Sequence, residues 1–198
     1  MDRDSWDRRY SQAELVWSAD PNQFFAAEVA PLAPGRALDL GTGEGRNAIW
    51  LAERGWDTTA VDFSGAGIEK ARALASSRGC SVTWIVEDLL TFRPAHRAFD
   101  LVALLYIHLP AVQRRQVLIS AVAALAPAGR LVVVGHDTSN LIAGVGGPQD
   151  RSILFTPEEI VADLVGLDIV RSQKAVRHVS TADGERDAID ALVVAVAP

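Results

Sequence analysis

A single cysteine, Cys80, stands in the 198 residues. No disulfide can form within the chain, and a reducing, cytoplasmic location is expected. Histidine is scarce as well. His96, His108, His136 and His178 fall at no paired ligand spacing, so no metal site is expected. Basic residues form no patch. Arg8-Arg9 and Arg114-Arg115 are the only basic doublets and the formal net charge is -6, which argues against nucleic acid as a partner. No run approaches the roughly 18 apolar residues of a membrane helix, so no membrane partner is expected. Residues 1–17 are charged throughout and lack the apolar core of a signal peptide. With 49% hydrophobic and 22% charged residues, the composition is that of a chain able to bury its own core as one domain, as a monomer or homodimer.

The middle of the chain alternates short apolar runs with longer amphipathic ones. Strands are expected at 36–40, 58–62, 82–86, 99–105 and 131–134, and helices at 46–54, 68–77 and 110–126. Strands that are continuously apolar and separated by helices belong to a parallel sheet covered on both faces, wound in both directions from its middle. The ends break this rhythm. Asp20-Pro21-Asn22-Gln23 reads as a helix start capped by Asp20, and Thr156-Pro157-Glu158-Glu159 repeats that chemistry. Two β-rich runs, 167–176 and 189–196, flank the turn-prone 182–185 with no helix between them, so they are expected to pair as an antiparallel hairpin. The expected organisation is one domain over 1–198: a helical cap (1–34), a core (35–135), a long glycine-rich loop (136–155), and a last helix with the hairpin (156–198). Connections of that loop's length commonly bind substrate.

The sharpest signal is Asp39-Leu40-Gly41-Thr42-Gly43-Glu44-Gly45, set between a strand and a helix. Glycines there let the backbone approach a ligand closely, and the helix N-terminus offers free N–H groups. Asp62 follows at the end of the second strand, where an acid meets the hydroxyls of a ribose. A dinucleotide fingerprint places its third glycine at position 46, but Arg46 stands there and the glycine is Gly45. Asp39 also suits a ligand carrying an ammonium group, as a pyrophosphate does not. An NAD(P)-dependent oxidoreductase and a non-catalytic nucleoside-binding module remain as alternatives.

The pattern D-x-G-x-G-x-G followed by Val61-Asp62-Phe63-Ser64 resembles that of class I S-adenosylmethionine-dependent methyltransferases. The resemblance implies a Rossmann-like, mostly parallel seven-stranded sheet whose last strands form the reversed hairpin. It implies S-adenosyl-L-methionine as cofactor and S-adenosyl-L-homocysteine as product. Asp39, Gly41, Gly43, Gly45 and Asn47 would serve the methionine part and Asp62 the ribose. Phe63, Asp88 and Leu89 would serve the adenine, although Asp88 also reads as a simple loop cap. Within the class, Leu40 to Asn47 is similar to the L-G-x-G-x-G-R-N run of the tellurite-resistance and thiopurine-type branch, whose acceptors are small or soft.

The methyl acceptor, a small molecule, is expected at the carboxyl ends of the strands. After the fourth strand stands Tyr106-Ile107-His108-Leu109-Pro110, not the N/D-P-P-Y/F tetrapeptide of nucleic-acid base methyltransferases. His108 and His136 are the candidate bases, with Tyr106 as a wall contact and Arg151 as a partner for an anionic substrate. Trp6, Tyr10 and Trp17 make the N-terminus rich in aromatics, either as a lid over the acceptor or as core packing.

Overall fold

A computed structural model describes residues 3–12, 15–16, 18–181 and 184–198. Seven strands form one sheet: β1 (Arg36–Leu40), β2 (Asp57–Asp62), β3 (Thr83–Val86), β4 (Phe99–Leu105), β5 (Leu125–His136), β6 (Asp168–Thr181) and β7 (Gly184–Val196). Their spatial order is β3-β2-β1-β4-β5-β7-β6. The first five run parallel, with Leu38 opposite both Thr59 and Val102, and β7 lies antiparallel between β5 and β6. The chain leaves β1 towards one edge and returns at β4 on the other side. The carboxyl ends of β1 and β4 therefore flank the switch point, where such sheets open a crevice.

Helices cover both faces, as the apolar strands require. On β4, Val102 and Leu104 face one way, towards α5 (Ala111–Ala124) and α7 (Pro157–Asp163) through Leu118 and Ile160. Leu101, Ala103 and Leu105 face the other, with Phe25 of α2 (Gln23–Val29) and Trp50 of α3 (Arg46–Glu53). This period of two places Leu192 and Val194 of β7 with the second cluster, and Ala191 and Val193 with the first. Charged residues Arg171, Lys174 and Arg177 lie along the edge strand β6, which is exposed over most of its length and so resists pairing with another chain.

Several boundaries differ from expectation. Asn22, not Asp20, caps α2: its Oδ1 accepts from the N–H groups of Phe24 and Phe25, both at 3.0 Å, so Pro21 precedes the cap instead of opening the helix. Thr156 does form the expected capping box, with Pro157 in the first turn. α5 ends at Ala124, not near Ala126, because Leu125 turns extended and joins Phe99 of β4. The hairpin is longer than expected, since the β-branched run through Thr181 continues pairing to Gly184. Residues 136–155 are also more ordered than a plain loop. A bridge between Asp137 and Phe155 closes their base, and they hold the short α6 (Asn140–Ala143) and a 3-10 turn at Arg151–Ile153. Asn140 pins the segment to β7, accepting from the Ile189 N–H at 2.7 Å and donating to the Gly146 carbonyl at 2.9 Å. Among the described residues, no helix is long and apolar enough to cross a membrane.

Candidate active site

The loop after β1 turns three times through left-handed backbone, at Gly41, Gly43 and Gly45, before α3 begins. At Gly45 a Cβ would lie 2.6 Å from the Trp84 ring and 2.8 Å from Ala71, so only glycine lets α3 start against β3 and α4 (Gly65–Ser77). At Gly43 a Cβ would meet the Tyr10 hydroxyl at 2.7 Å. Tyr10 belongs to α1 (Arg3–Gln12), is buried, and stacks on the partly buried Trp6. The aromatic N-terminus is thus both packed and placed over the glycine loop. Trp17 lies outside the described residues.

Two buried carboxylates hold this loop. Asp62 ends β2 and accepts from the N–H groups of Gly43 at 2.8 Å and Ser64 at 2.9 Å. Burial pushes its pKa upward against those two donors. Asp39 accepts from the Thr42 hydroxyl at 2.6 Å, and its full burial raises its pKa to about 6. Asn47, on the first turn of α3, accepts from the Asn22 N–H at 2.8 Å and so braces the N-terminal cap against the loop. Asp88 turns the chain after β3, accepting from the Leu90 N–H at 2.9 Å, while Leu89 faces Gly41. Phe63, partly buried, follows Asp62 directly.

Sequence reasoning passed over three residues here. The end of the Ile107 side chain lies over Gly41, where a Cβ would fall 2.0 Å from it. Glu44, buried in the loop, accepts from the Val16 N–H and pairs with Lys70 at 3.2 Å. Asp7 of α1 accepts from the Ser64 hydroxyl and the Ala66 N–H, tying the cap to the start of α4. No local pattern in the sequence points to the contact of Ile107 with the loop.

Across the switch point a second cluster assembles from distant parts of the chain. Tyr106, His108 and His136 follow β4 and end β5, and their rings lie 5.1 to 6.2 Å apart. Tyr106 has φ 56, an uncommon conformation for a bulky residue and one often found at functional sites. Its hydroxyl donates to Asp190 Oδ2 at 2.7 Å and accepts from the Asn22 amide at 3.1 Å. Arg177 Nε donates to the same carboxylate oxygen at 3.0 Å. His136 Nδ1 lies 3.1 Å from Asp190 Oδ1, out of line for a hydrogen bond, so each of these buried atoms lacks a hydrogen-bond partner. Burial alone would raise the Asp190 pKa, but His136, Tyr106 and Arg177 together hold it below the ordinary carboxylate range.

The two histidines differ. His108 Nε2 accepts from the His136 backbone N–H at 3.2 Å, and burial, aided by His136, lowers its pKa to about 4. Its lone pair is already engaged. The imidazole of His136 is oriented by Asp190 and edged by Gly147 of the glycine-rich loop. Arg151 stands apart: it is exposed on the 3-10 turn and lines a surface cleft with Ala111, Arg114 and Glu159 that contains none of the cluster's residues.

Residues 37–129 match the family profile of the methyltransferase domain. A 2-heptyl-1-hydroxyquinolin-4(1H)-one methyltransferase of Mycobacteroides abscessus is 31% identical over 121 residues, 60% of this chain and 53% of that protein. A demethylmenaquinone methyltransferase of Thermus thermophilus is 36% identical over 104 residues, 52% of this chain and 47% of that protein. The chain thus spans about half the length of these curated relatives. Among solved structures, the N-methyltransferase NodS from Bradyrhizobium japonicum WM9, in complex with S-adenosyl-L-homocysteine, superposes with a TM-score of 0.75 at 20% identity, covering 99% of this chain and 98% of that one. Residues 37–129 are thus similar to the methyltransferase domain, and the chain as a whole shares its Rossmann-like fold with NodS.

Proposed function

We propose that the chain transfers a methyl group from S-adenosyl-L-methionine to a proton-bearing oxygen or nitrogen of a small molecule, leaving S-adenosyl-L-homocysteine. The observation that carries this reading is the pair of buried carboxylates, Asp39 and Asp62, flanking a three-glycine turn at the sheet's switch point. Such a cradle fits a nucleoside with an ammonium-bearing tail: Asp62 for the ribose, Asp39 for the ammonium, Phe63, Asp88 and Leu89 around the adenine. The bound sulfonium supplies an already activated methyl group, so the protein needs no acid. Its tasks are to align the acceptor and, for a hydroxyl or amine, to remove a proton.

His136 performs that removal in this reading, and Asp190 is its positioning residue. A proton on Nδ1 facing Asp190 leaves Nε2 free as the base, while His108 stays neutral and holds the His136 backbone. The names of the curated relatives, a hydroxyquinolone and a demethylmenaquinone methyltransferase, support a small acceptor. The tellurite-resistance and thiopurine-type resemblance of Leu40 to Asn47 supports a second reading, a thiol or metalloid oxyanion, which needs no base. The histidine–aspartate contact favours the first.

Thermal unfolding with S-adenosylhomocysteine, NAD and NADP in parallel tests the cofactor. A ligand at 100 times its Kd stabilises by about 2.7 kcal/mol, a shift of roughly 5–10 °C at this size. S-adenosylhomocysteine alone is expected to give it, and Asp62→Asn to lose it, with a lower unliganded midpoint because one of the two backbone N–H groups that Asp62 accepts from then faces an amide N–H. A shift with NAD or NADP alone would overturn the proposal.

A further inference from the structure

One turn into α5 stands Arg114, only 5% exposed. Its Nε is buried without a hydrogen-bond partner, and among the described residues its guanidinium makes no hydrogen bond at all. Its ion pair is long: Nη2 lies 3.8 Å from Asp163 Oδ2, while the other oxygen of Asp163 is taken by Arg115 Nε at 2.7 Å. The guanidinium carbon lies 5.4 Å from the centre of the Phe155 ring. A guanidinium offers five N–H donors, and one withdrawn from water with so few acceptors is costly. The helix that carries it is also open at its start. Pro110 provides no side-chain cap to the 14-residue α5, and no acid stands in the first turn. The N–H groups of Ala111, Val112 and Gln113 therefore lack intrahelical acceptors, at the end of the helix that favours negative charge.

Arg114 and Ala111 line one cleft of about 470 Å³ together with Arg151, Ser152, Leu154 and Glu159. Arg151 is exposed on the 3-10 turn, and among the described residues its side chain has no hydrogen bond and no ion pair. Glu159 is the one acid of the lining, and its Oε2 already accepts from the Thr156 N–H at 3.0 Å. Ser152 donates its hydroxyl to Asp150 at 2.7 Å. The cleft thus gathers two guanidiniums and the open end of a helix around a single, engaged carboxylate. The planar forks of arginine match a carboxylate or phosphate through paired hydrogen bonds. The volume is that of a small-molecule site, not of a bare ion, and Leu154 adds an apolar wall.

We propose that this cleft is a second binding site, for a small molecule carrying a carboxylate or phosphate, held by Arg114, Arg151 and the first N–H groups of α5. It lies apart from both the glycine loop and the His136 cluster, none of whose residues line it. One side chain links it to that cluster, since the Phe155 ring beside Arg114 lies 6.3 Å from the ring of His108. An organic acid and a phosphoryl compound offer the same recognition chemistry, and the test separates them.

Benzoate, its uncharged counterpart benzamide and inorganic phosphate are titrated into the isotope-labelled full chain at constant ionic strength. The backbone N–H signals of Ala111 and Ser152 are followed by nuclear magnetic resonance. Both anions are expected to shift both signals to saturation, and benzoate to bind about tenfold more tightly than benzamide. Arg151→Gln, an exposed change that leaves the core alone, should weaken both anions about threefold. Arg114→Gln should weaken them about tenfold or more, and Arg114→Lys should recover part of that loss, each variant being checked by circular dichroism. The absence of any saturable shift at Ala111 and Ser152 in the native chain would overturn the proposal. So would anion affinities unchanged in Arg151→Gln, an outcome that does not require the Arg114 variants to fold. Shifts centred on His136 and Arg177 instead would move the anion to the site of the proposed methyl transfer and overturn it equally. Tighter binding of benzoate than of phosphate would support the site as one for an organic acid, and the reverse order as one for a phosphoryl group. No adenosyl compound is present in these titrations, so failure of the cofactor reading would leave their result standing.

Discussion

The two sides of the switch point are built on opposite plans. On the proposed cofactor side, Asp39, the three glycines and Asp62 all lie within one β1-α3-β2 unit, and much of what they hold is backbone N–H. On the proposed acceptor side, Asn22, Tyr106, His136, Arg177 and Asp190 come from five separate segments and meet only through side chains. The family profile follows this division, covering residues 37–129 and stopping before His136. A ligand common to many enzymes is served by a local motif that tolerates little change, whereas an acceptor can be exchanged by altering scattered side chains on a constant frame.

That contrast can be broken or sharpened by substitution. The largest effect is expected at Gly45, where alanine would take a positive φ and press on Trp84 and Ala71. Strain and overpacking together should cost roughly 2–6 kcal/mol, read as a lowered denaturation midpoint in urea. A stable Gly45→Ala protein would mean that the loop is less constrained than the geometry indicates.

On the other side, His136→Asn should lower kcat by about 10²- to 10⁴-fold on a hydroxyl or amine acceptor. Its S-adenosylhomocysteine affinity should stay within twofold. If cofactor affinity fell instead, the two sides would not be separable. An unchanged kcat would favour an acceptor that needs no base.

Acidification should act through Asp39. Its pKa of about 6 lies above the ordinary 3.8, so the protonated form stabilises the fold at low pH and that contribution is lost as pH rises through 6. His108 works oppositely: with a pKa of about 4 against 6.5, its contribution is present above 6.5 and lost as pH falls through 4. The two offset one another between pH 4 and 6, so Asp39→Asn should leave a protein that loses stability on acidification across that window. Since an ammonium prefers the ionised carboxylate, affinity for S-adenosylhomocysteine should also fall by up to about tenfold per pH unit below 6, and Asp39→Asn should flatten that profile. Calorimetry at several pH values decides both.

The smallest effect is expected far from either side. Thr156→Ala removes the capping box of α7 and should cost about 1 kcal/mol, with turnover unaffected. A loss of activity there would link α7 to the site through the neighbouring Phe155, whose ring lies 6.3 Å from that of His108.

The glycine turn and its two flanking acids were legible beforehand because their signals are local. A strand, a glycine turn and an acid some 20 residues on lie in one unit whose geometry follows from backbone sterics. Tyr106, His108 and His136 could be named from their places at strand ends, and the structure groups them. Arg151 could not be placed, since a loop of that length has many courses, and this one turns it to a surface cleft. Asp190 and Arg177 carried no signal at all. Each reads as an ordinary polar residue in a β-rich run, and each matters only because β7 inserts between β5 and β6.

The sequence by itself determined the class of fold, the position of the glycine turn and the reversed hairpin, since periodicity and turn chemistry act between near neighbours. Only the tertiary structure decided which histidine is oriented by a carboxylate and which is spent on the backbone. Those outcomes depend on strand order and on side chains up to 168 positions apart, Asn22 to Asp190 through Tyr106, and no local pattern encodes distances closed by the packing of the whole sheet.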